Sequence, residues 1–206
     1  MEITKAIRGF AEAAERELAP LGFRRRAQGV VTLDVAEDVL GWLGLNRAIR
    51  SGILKVNPVV GVRHQRVERL VAELTGVRFH PWLPPTLSSH LGYLMPQRAY
   101  VPWTVRAVEE VPAVAAAMAA AVQQHGLPFV QANASLATLA ASLAGGMGMP
   151  EQVGYRLPVV WHLLGDDARA EAALAQQVGW QGEGDHPAAR EFRAFAEALR
   201  RRLRTG

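Results

Sequence analysis

The chain has 206 residues, of which 50% are hydrophobic and 20% charged, with a formal net charge of +4 and no cysteine. This length suits one domain, or one domain with an extension, and it buries a stable core without disulfides. The lack of cysteine excludes disulfides, thiolate metal sites, iron–sulfur clusters and cysteine nucleophiles. A mean hydropathy of +0.04 argues against a disordered chain.

Composition also bears on origin and location. Alanine is abundant and lysine occurs only at Lys5 and Lys55, a bias typical of a GC-rich bacterial genome. Residues 1–18 mix charges into an amphipathic pattern, unlike a secretory signal. The most apolar run, residues 111–122, is shorter than the roughly 18 residues that a membrane span requires. We therefore expect a cytoplasmic protein without a membrane segment.

Strand signals dominate the first half of the chain. Apolar residues at helical spacing predict a first helix, and alternating β-branched runs between turn residues predict an antiparallel meander. The predicted elements are a helix over 3–19, extended structure over 23–35 with a turn at Gln28-Gly29, strands over 39–46 and 53–62 around Arg50-Ser51-Gly52, a helix over 65–74 and a short strand over 91–95.

Helical signals dominate the second half, where alanine increases and glycine-containing breaks recur. The predicted helices lie near 106–125, 129–144, 151–164, 167–178 and 188–204, separated by Gly126-Leu127-Pro128, Gly145-Gly146, Gly165-Asp166-Asp167 and residues 182–187. The fold class is therefore α+β: an antiparallel sheet of three to five strands flanked by helices, then a mostly helical half. We expect a sheet-containing part over 1–104 and a helical part over 105–206, packed together as one compact unit.

The excess positive charge lies in the sheet-containing half, where residues 1–110 hold 15 Arg and Lys against 11 Asp and Glu. Neighbouring arginines on strands form a surface suited to phosphates or to an acidic protein. The other interpretation is a set of solvated arginines in an arginine-biased sequence. The candidate basic binding residues are Arg24, Arg26, Arg47, Arg50 and Lys55.

Aromatic residues and prolines are concentrated in residues 79–103. Such a cluster lines a groove for a ligand or an extended peptide, or else forms a small core under a long loop. The candidate binding residues here are Trp82, Tyr93, Tyr100 and Trp103.

No catalytic or metal motif is evident. The six histidines are scattered without metal-ligand spacing, and Ser88-Ser89-His90 lacks the glycine-flanked turn of a serine hydrolase. We therefore expect no catalytic residue, no metal and no cofactor. The enzymatic alternative is a site assembled around the 79–103 segment, using His80, His90 and Tyr93.

Two motifs carry a resemblance. Leu21-Gly22-Phe23 followed by three arginines, and the strand sequence from Asn57 to Val62 of the form N-x-x-x-G-V, occur after one helix and before another. This arrangement, over residues 3–75, resembles small bacterial domains of unknown function, some of whose relatives lie near toxin loci. The resemblance implies an immunity or antitoxin role and transfers no catalytic residue.

Together these observations predict a non-enzymatic, intracellular bacterial interaction protein whose partner is another protein. The alternative is a nucleic-acid-associated protein that uses the basic sheet face and the C-terminal arginines from Arg200 to Arg204. Phosphate contacts would make such binding steeply salt-dependent, which distinguishes the two hypotheses. The oligomeric state is left open.

Overall fold

The computed structural model describes residues 2–27, 29–181 and 184–205. Gln28, in the predicted turn at Gln28-Gly29, and residues 182–183, in the predicted break at 182–187, lie outside the described residues.

Within the described residues, six strands form one sheet in the order β1-β2-β3-β4-β5, with β6 also paired to β4. The strands are β1 (Arg24–Arg25), β2 (Val30–Ala36), β3 (Val39–Arg50), β4 (Ile53–His64), β5 (Leu87–His90) and β6 (Trp103–Val105). The pairs β1/β2, β2/β3 and β4/β6 are antiparallel. Ser51 and Gly52 both have positive φ, the geometry of a two-residue hairpin between β3 and β4.

Helices precede the sheet and fill most of the second half, which confirms the predicted α+β class. They are α1 (Glu2–Leu18), α2 (Gln65–Thr75), α3 (Leu91–Leu94), α4 (Val111–Ala121), α5 (Leu127–Ala132), α6 (Leu136–Ala144), α7 (Pro150–Leu163), α8 (Asp167–Gln181) and α9 (Pro187–Leu203). Short 3₁₀ turns occupy Ala19–Leu21 and Val108–Glu110, and a π-helical turn at Val122–Gly126 joins α4 to α5.

Two local predictions were wrong. The expected strand over 91–95 is the helical turn α3, where a Cβ on Gly92 would overlap the carbonyl oxygen of Ala99 and lie 2.8 Å from the backbone nitrogen of Val101. The expected break at Gly126-Leu127-Pro128 is continuous helix, and the chain instead breaks before Ser135, whose side chain caps α6 by accepting from the Thr138 N–H at 3.1 Å.

The chain divides into two compact units, each built from two separate segments. Unit 1 comprises Met1–Val62 and Ser88–Ala132, and unit 2 comprises Arg63–Leu87 and Asn133–Gly206. The predicted boundary at residue 104 falls inside unit 1.

Unit 1 contains most of the sheet together with α1, α3, α4 and α5. Helix α1 packs against α4, and α5 packs against the π-helical turn and β3. Fully buried side chains of this unit include Phe10, Leu18, Leu43, Leu54, Leu91 and Met118.

Unit 2 is helical, with α7 packed against α2, α6, α8 and α9. Tyr155 of α7 packs against two phenylalanines of α9, with its ring centroid 5.1 Å from that of Phe192 and 4.8 Å from that of Phe195. Buried side chains of this unit include Val67, Leu139, Leu143, Val160, Leu174 and Leu199.

In the described part of the chain, no single helix is both long and apolar enough to cross a membrane. The bent pair Val108–Ala132 and Leu136–Ala144 meets the length and composition requirement only when its two segments are taken together.

Candidate functional site

The arginines of β1 and the arginine that follows it have partners within unit 1. Arg24 pairs with Asp34 at 3.5 Å, and Arg25 pairs with Glu15 at 3.2 Å. The Nε–H of Arg26 donates to Thr32 Oγ1 at 3.0 Å. The charge of this run is therefore partly compensated by nearby groups.

The end of β3 is exposed over five consecutive residues, Asn46–Arg50. We call this segment the β3 edge. The β2 register stops at the pair Val30↔Gly44, and one further bond follows, from the Leu45 N–H to the Gly29 carbonyl at 2.9 Å. Among the described residues, no strand is registered against the β3 edge on the β2 side.

Strand geometry fixes which backbone groups face outward there. In an antiparallel sheet, the N–H and C=O groups of one residue both point toward the same neighbouring strand, and those of the next residue point toward the strand on the other side. Because Leu45 bonds toward β2, Arg47 and Ile49 direct their backbone groups to the same side, beyond the end of β2. The β3 edge therefore presents donors and acceptors that a further strand would pair with.

A small hollow of about 150 Å³ adjoins this edge in unit 1. Its lining includes Arg25, Arg26 and Arg47 with a single acidic residue, Glu15, and it also includes Gly29 and Leu45 at the end of the β2 pairing. Arg47 thus belongs both to the hollow and to the β3 edge.

The other two basic candidates lie close by in sequence on the same hairpin. Arg50 is exposed and ends β3. Lys55 lies on β4, is half-buried, and is registered against Thr104 of β6.

The aromatic candidates are divided between the units. In unit 1, the His90 ring lies 6.0 Å from Tyr93 and 5.9 Å from Tyr100, both edge-on, and the Tyr100 hydroxyl donates to Asn57 Oδ1. Trp103 is registered against Val56 of β4. Tyr93 and Tyr100 are each about half exposed.

Trp82 belongs to unit 2, where its ring lies edge-on to His80 with centroids 4.9 Å apart. The residues of the enzymatic hypothesis are divided in the same way, since His80 belongs to unit 2 whereas His90 and Tyr93 belong to unit 1.

Two C-terminal arginines of the nucleic-acid hypothesis form ion pairs inside unit 2. Arg200 Nη2 lies 2.8 Å from Glu171 Oε1, and Arg202 Nη1 lies 2.7 Å from Glu73 Oε1. In the described part of the chain, no group of three or more histidine, aspartate or glutamate side chains is placed to hold a metal ion.

Unit 2 also contains a large open cleft that the sequence did not predict, with a volume of about 750 Å³. We call it the unit 2 cleft. Residues from α2, α7, α9 and the 77–84 segment line it, and most of them are apolar: Val71, Ala72, Leu74, Val77, Phe79, Leu83, Pro84, Ala194 and Phe195.

Three buried charged residues, Arg63, Glu68 and Arg156, also line the cleft. We call them the ionic cluster. Arg156 holds Glu68 with two bonds, Nε to Oε1 at 2.8 Å and Nη2 to Oε2 at 3.0 Å, and Arg63 Nη1 lies 3.7 Å from Glu68 Oε2. The three side chains are only 1% to 7% exposed. Two guanidinium groups therefore share one carboxylate away from water.

Arg63 has further partners that fix the 80–84 segment. Its Nη groups donate to the carbonyls of His80 and Pro84, and its Nε donates to Gln65 Oε1 at 3.1 Å. Burial lowers the pKa of the Arg63 guanidinium to about 10, although Glu68 acts in the opposite direction. The surroundings thus disfavour a second positive charge beside Arg156.

Another buried group of unit 2 is His64, at the end of β4. Its backbone N–H donates to Thr86 Oγ1 at 2.9 Å, and its ring Nε2–H donates to the Asn133 carbonyl at 2.9 Å. Burial lowers the pKa of His64 below the ordinary value, because a charged imidazole would lose its hydration.

Protein-family models, curated proteins and solved structures were all compared with this chain, and none of the three comparisons found a match.

Proposed function

We propose that this chain is a non-enzymatic, intracellular bacterial interaction protein of the immunity or antitoxin kind, and that it binds an acidic extended segment of a partner protein at the β3 edge. The partner segment adds as a strand beside Arg47 and Ile49. The observation that carries the proposal is the run of five exposed residues, Asn46–Arg50, beyond the last β2 pair.

Main-chain geometry supports strand addition. A long exposed edge is a template for pairing with another chain, and proteins usually protect such edges with proline, bulges or a covering segment. In the described residues the β3 edge has no such protection, because all five residues are exposed and none is proline. Its alternate backbone groups supply the affinity in this mode of binding.

Charge supports an acidic partner. Arg47 and Arg50 lie on the β3 edge itself. The adjoining hollow is also lined by Arg25 and Arg26, together with the acidic residue Glu15. Acidic side chains on an incoming strand would be attracted to this surface, which mainly speeds association and selects the partner.

A pair of variants at Ile49 tests strand addition. Proline at this position removes an outward N–H and leaves the bonds to β4, whereas alanine keeps the N–H and removes the same apolar side chain. With the partner captured from host lysate and then purified, we expect Ile49→Pro to weaken binding about tenfold or more and Ile49→Ala to weaken it only slightly.

A charge-reversal pair tests the acidic character of the partner. Arg47→Glu with Arg50→Glu should abolish capture, whereas Arg8→Glu, on the exposed surface of α1 in the same unit, should not. Equal binding by Ile49→Pro and the unchanged chain overturns the proposal. So does capture of nucleic acid alone that is released steeply with salt, which would favour the nucleic-acid hypothesis instead.

A further inference from the structure

We propose that the unit 2 cleft is a binding site for a small amphipathic carboxylate, a single negative group on an apolar body. The inference goes beyond strand addition at the β3 edge. It concerns residues of the other unit, so one proposal can be refuted while the other stands.

The size and lining of the cleft suit a small molecule. Ligand pockets typically measure about 300–1,000 Å³ and are mostly apolar with a few placed polar groups. The unit 2 cleft measures about 750 Å³, and its apolar residues come from α2, α9 and the 77–84 segment. Val77 is 66% exposed beside it, so apolar surface that a ligand would cover is left in water.

The charge of the lining selects an anion. Among the described lining residues, positive charges come from Arg63, Arg78 and Arg156 and negative charges from Glu68 and Glu191, which leaves an excess of one positive charge. Two of the three arginines are nearly inaccessible to water, where solvent screens their field least. A monoanion would balance this excess, whereas a cation would increase it.

The polar groups are arranged along the cleft in a way that orients such a ligand. The ionic cluster is buried, whereas Arg78, Glu191 and Ala194 are exposed. Glu68 balances only one of the two buried guanidinium groups, so a carboxylate is attracted toward the ionic cluster, and its apolar body then contacts the accessible side chains of Val71, Leu74 and Val77.

Three probes of equal chain length separate charge from apolar character. Decanoate, 1-decanol and decylamine are titrated into the purified chain by calorimetry at one ionic strength. We expect decanoate to bind at least about tenfold more tightly than either of the others. Equal affinity for decanoate and decanol would mean a merely apolar cleft, and no binding of any probe would mean no site; either result overturns the proposal.

Surface variants locate the site without disturbing the ionic cluster. Glu191→Gln removes a negative lining charge and should tighten decanoate binding about two- to fivefold, whereas Glu197→Gln, on the same helix outside the cleft, should not change it. Ala194→Trp places an indole over the cleft and should abolish binding, whereas Ala188→Trp should not. Decanoate binding that none of these variants alters places the ligand elsewhere and refutes the assignment.

Discussion

Replacing Glu68 by glutamine should destabilise unit 2 strongly. The substitution preserves shape but leaves Arg63 and Arg156 as buried positive charges without the carboxylate that they share. Removing one partner of a buried ion pair costs about 3–5 kcal/mol, because the remaining charge stays unpaired in a poorly hydrated site. At about 2–4 °C per kcal/mol for a chain of this size, the melting temperature should fall by about 6–20 °C.

The matched control lies on the same helix. Glu73→Gln makes the same chemical change in an ion pair with Arg202 whose side chains are 62% and 46% exposed, and it should cost only about 0–1 kcal/mol. Urea unfolding followed by circular dichroism gives both free energies, and hydrogen exchange in α2 and α7 shows where protection is lost. Equal costs for the two variants would refute the argument that burial makes Glu68 important.

A double-mutant cycle then measures the interaction energy between Glu68 and Arg156. Arg156→Met alone removes the two close bonds to Glu68 and keeps the longer contact with Arg63, at 3.7 Å. The double variant Glu68→Gln/Arg156→Met removes both members of the close pair, so its cost should be clearly less than the sum of the single costs. Additive costs would show that the two side chains do not interact energetically.

Three further predictions concern single positions. Burial lowers the pKa of His64 in the folded chain. As the pH falls below about 6.5, His64 is therefore protonated in the unfolded chain before it is protonated in the folded chain. The free energy of unfolding should decrease as the pH falls further. His64→Gln should flatten that decrease in urea titrations between about pH 7.5 and 5, and an unchanged slope would place its origin elsewhere. Gly92→Ala should lower the melting temperature, at a cost of about 1–3 kcal/mol or more, because its Cβ would lie 2.8 Å from the backbone nitrogen of Val101. Gly179 lies in α8, and apart from its chain neighbours and the backbone of its own helix, no described atom lies within 4 Å of a carbon added there. Gly179→Ala should therefore raise the melting temperature through about 0.5–1 kcal/mol of helix propensity, and a shift of the same sign in both glycine variants would contradict the packing argument.

The spacing of apolar residues predicts the helices and strands correctly where one face of the element is buried. The helical pattern of α1, the hairpin of β3 and β4, and the stop of α2 at Gly76, which has φ +67°, all follow from short-range rules of spacing and turn chemistry. These rules depend only on neighbours along the chain.

Contacts between distant segments decided the elements that the sequence did not predict correctly. Gly92 is close to the backbone of Val101, and a Cβ on Gly126 would lie 3.2 Å from Val60 of β4. In both places glycine allows close packing in the native structure, whereas sequence rules treat it as a break or as part of a strand. Strands β5 and β6 are too short to show an alternating pattern.

The unit 2 cleft was not predicted because its lining comes from three separate parts of the chain. One signal was nevertheless present: Glu68 and Arg156 are opposite charges set among the apolar positions of two predicted helices. Charged residues are almost never fully buried unless they are paired, so each of them suggests a partner on another element. The sequence alone does not show that the two residues meet.

The interleaved segments of the two units also constrain how the protein is made on the ribosome. Unit 1 requires residues up to Ala132, and unit 2 begins with Arg63 but requires the segment from Asn133 onward. At about 5–20 residues per second, α2 and the 77–84 segment wait several seconds for α7 and α9 to be synthesised. During that interval Glu68 and the apolar face of α2 lack their partners from α7, and apolar surface exposed in this way favours aggregation of nascent chains.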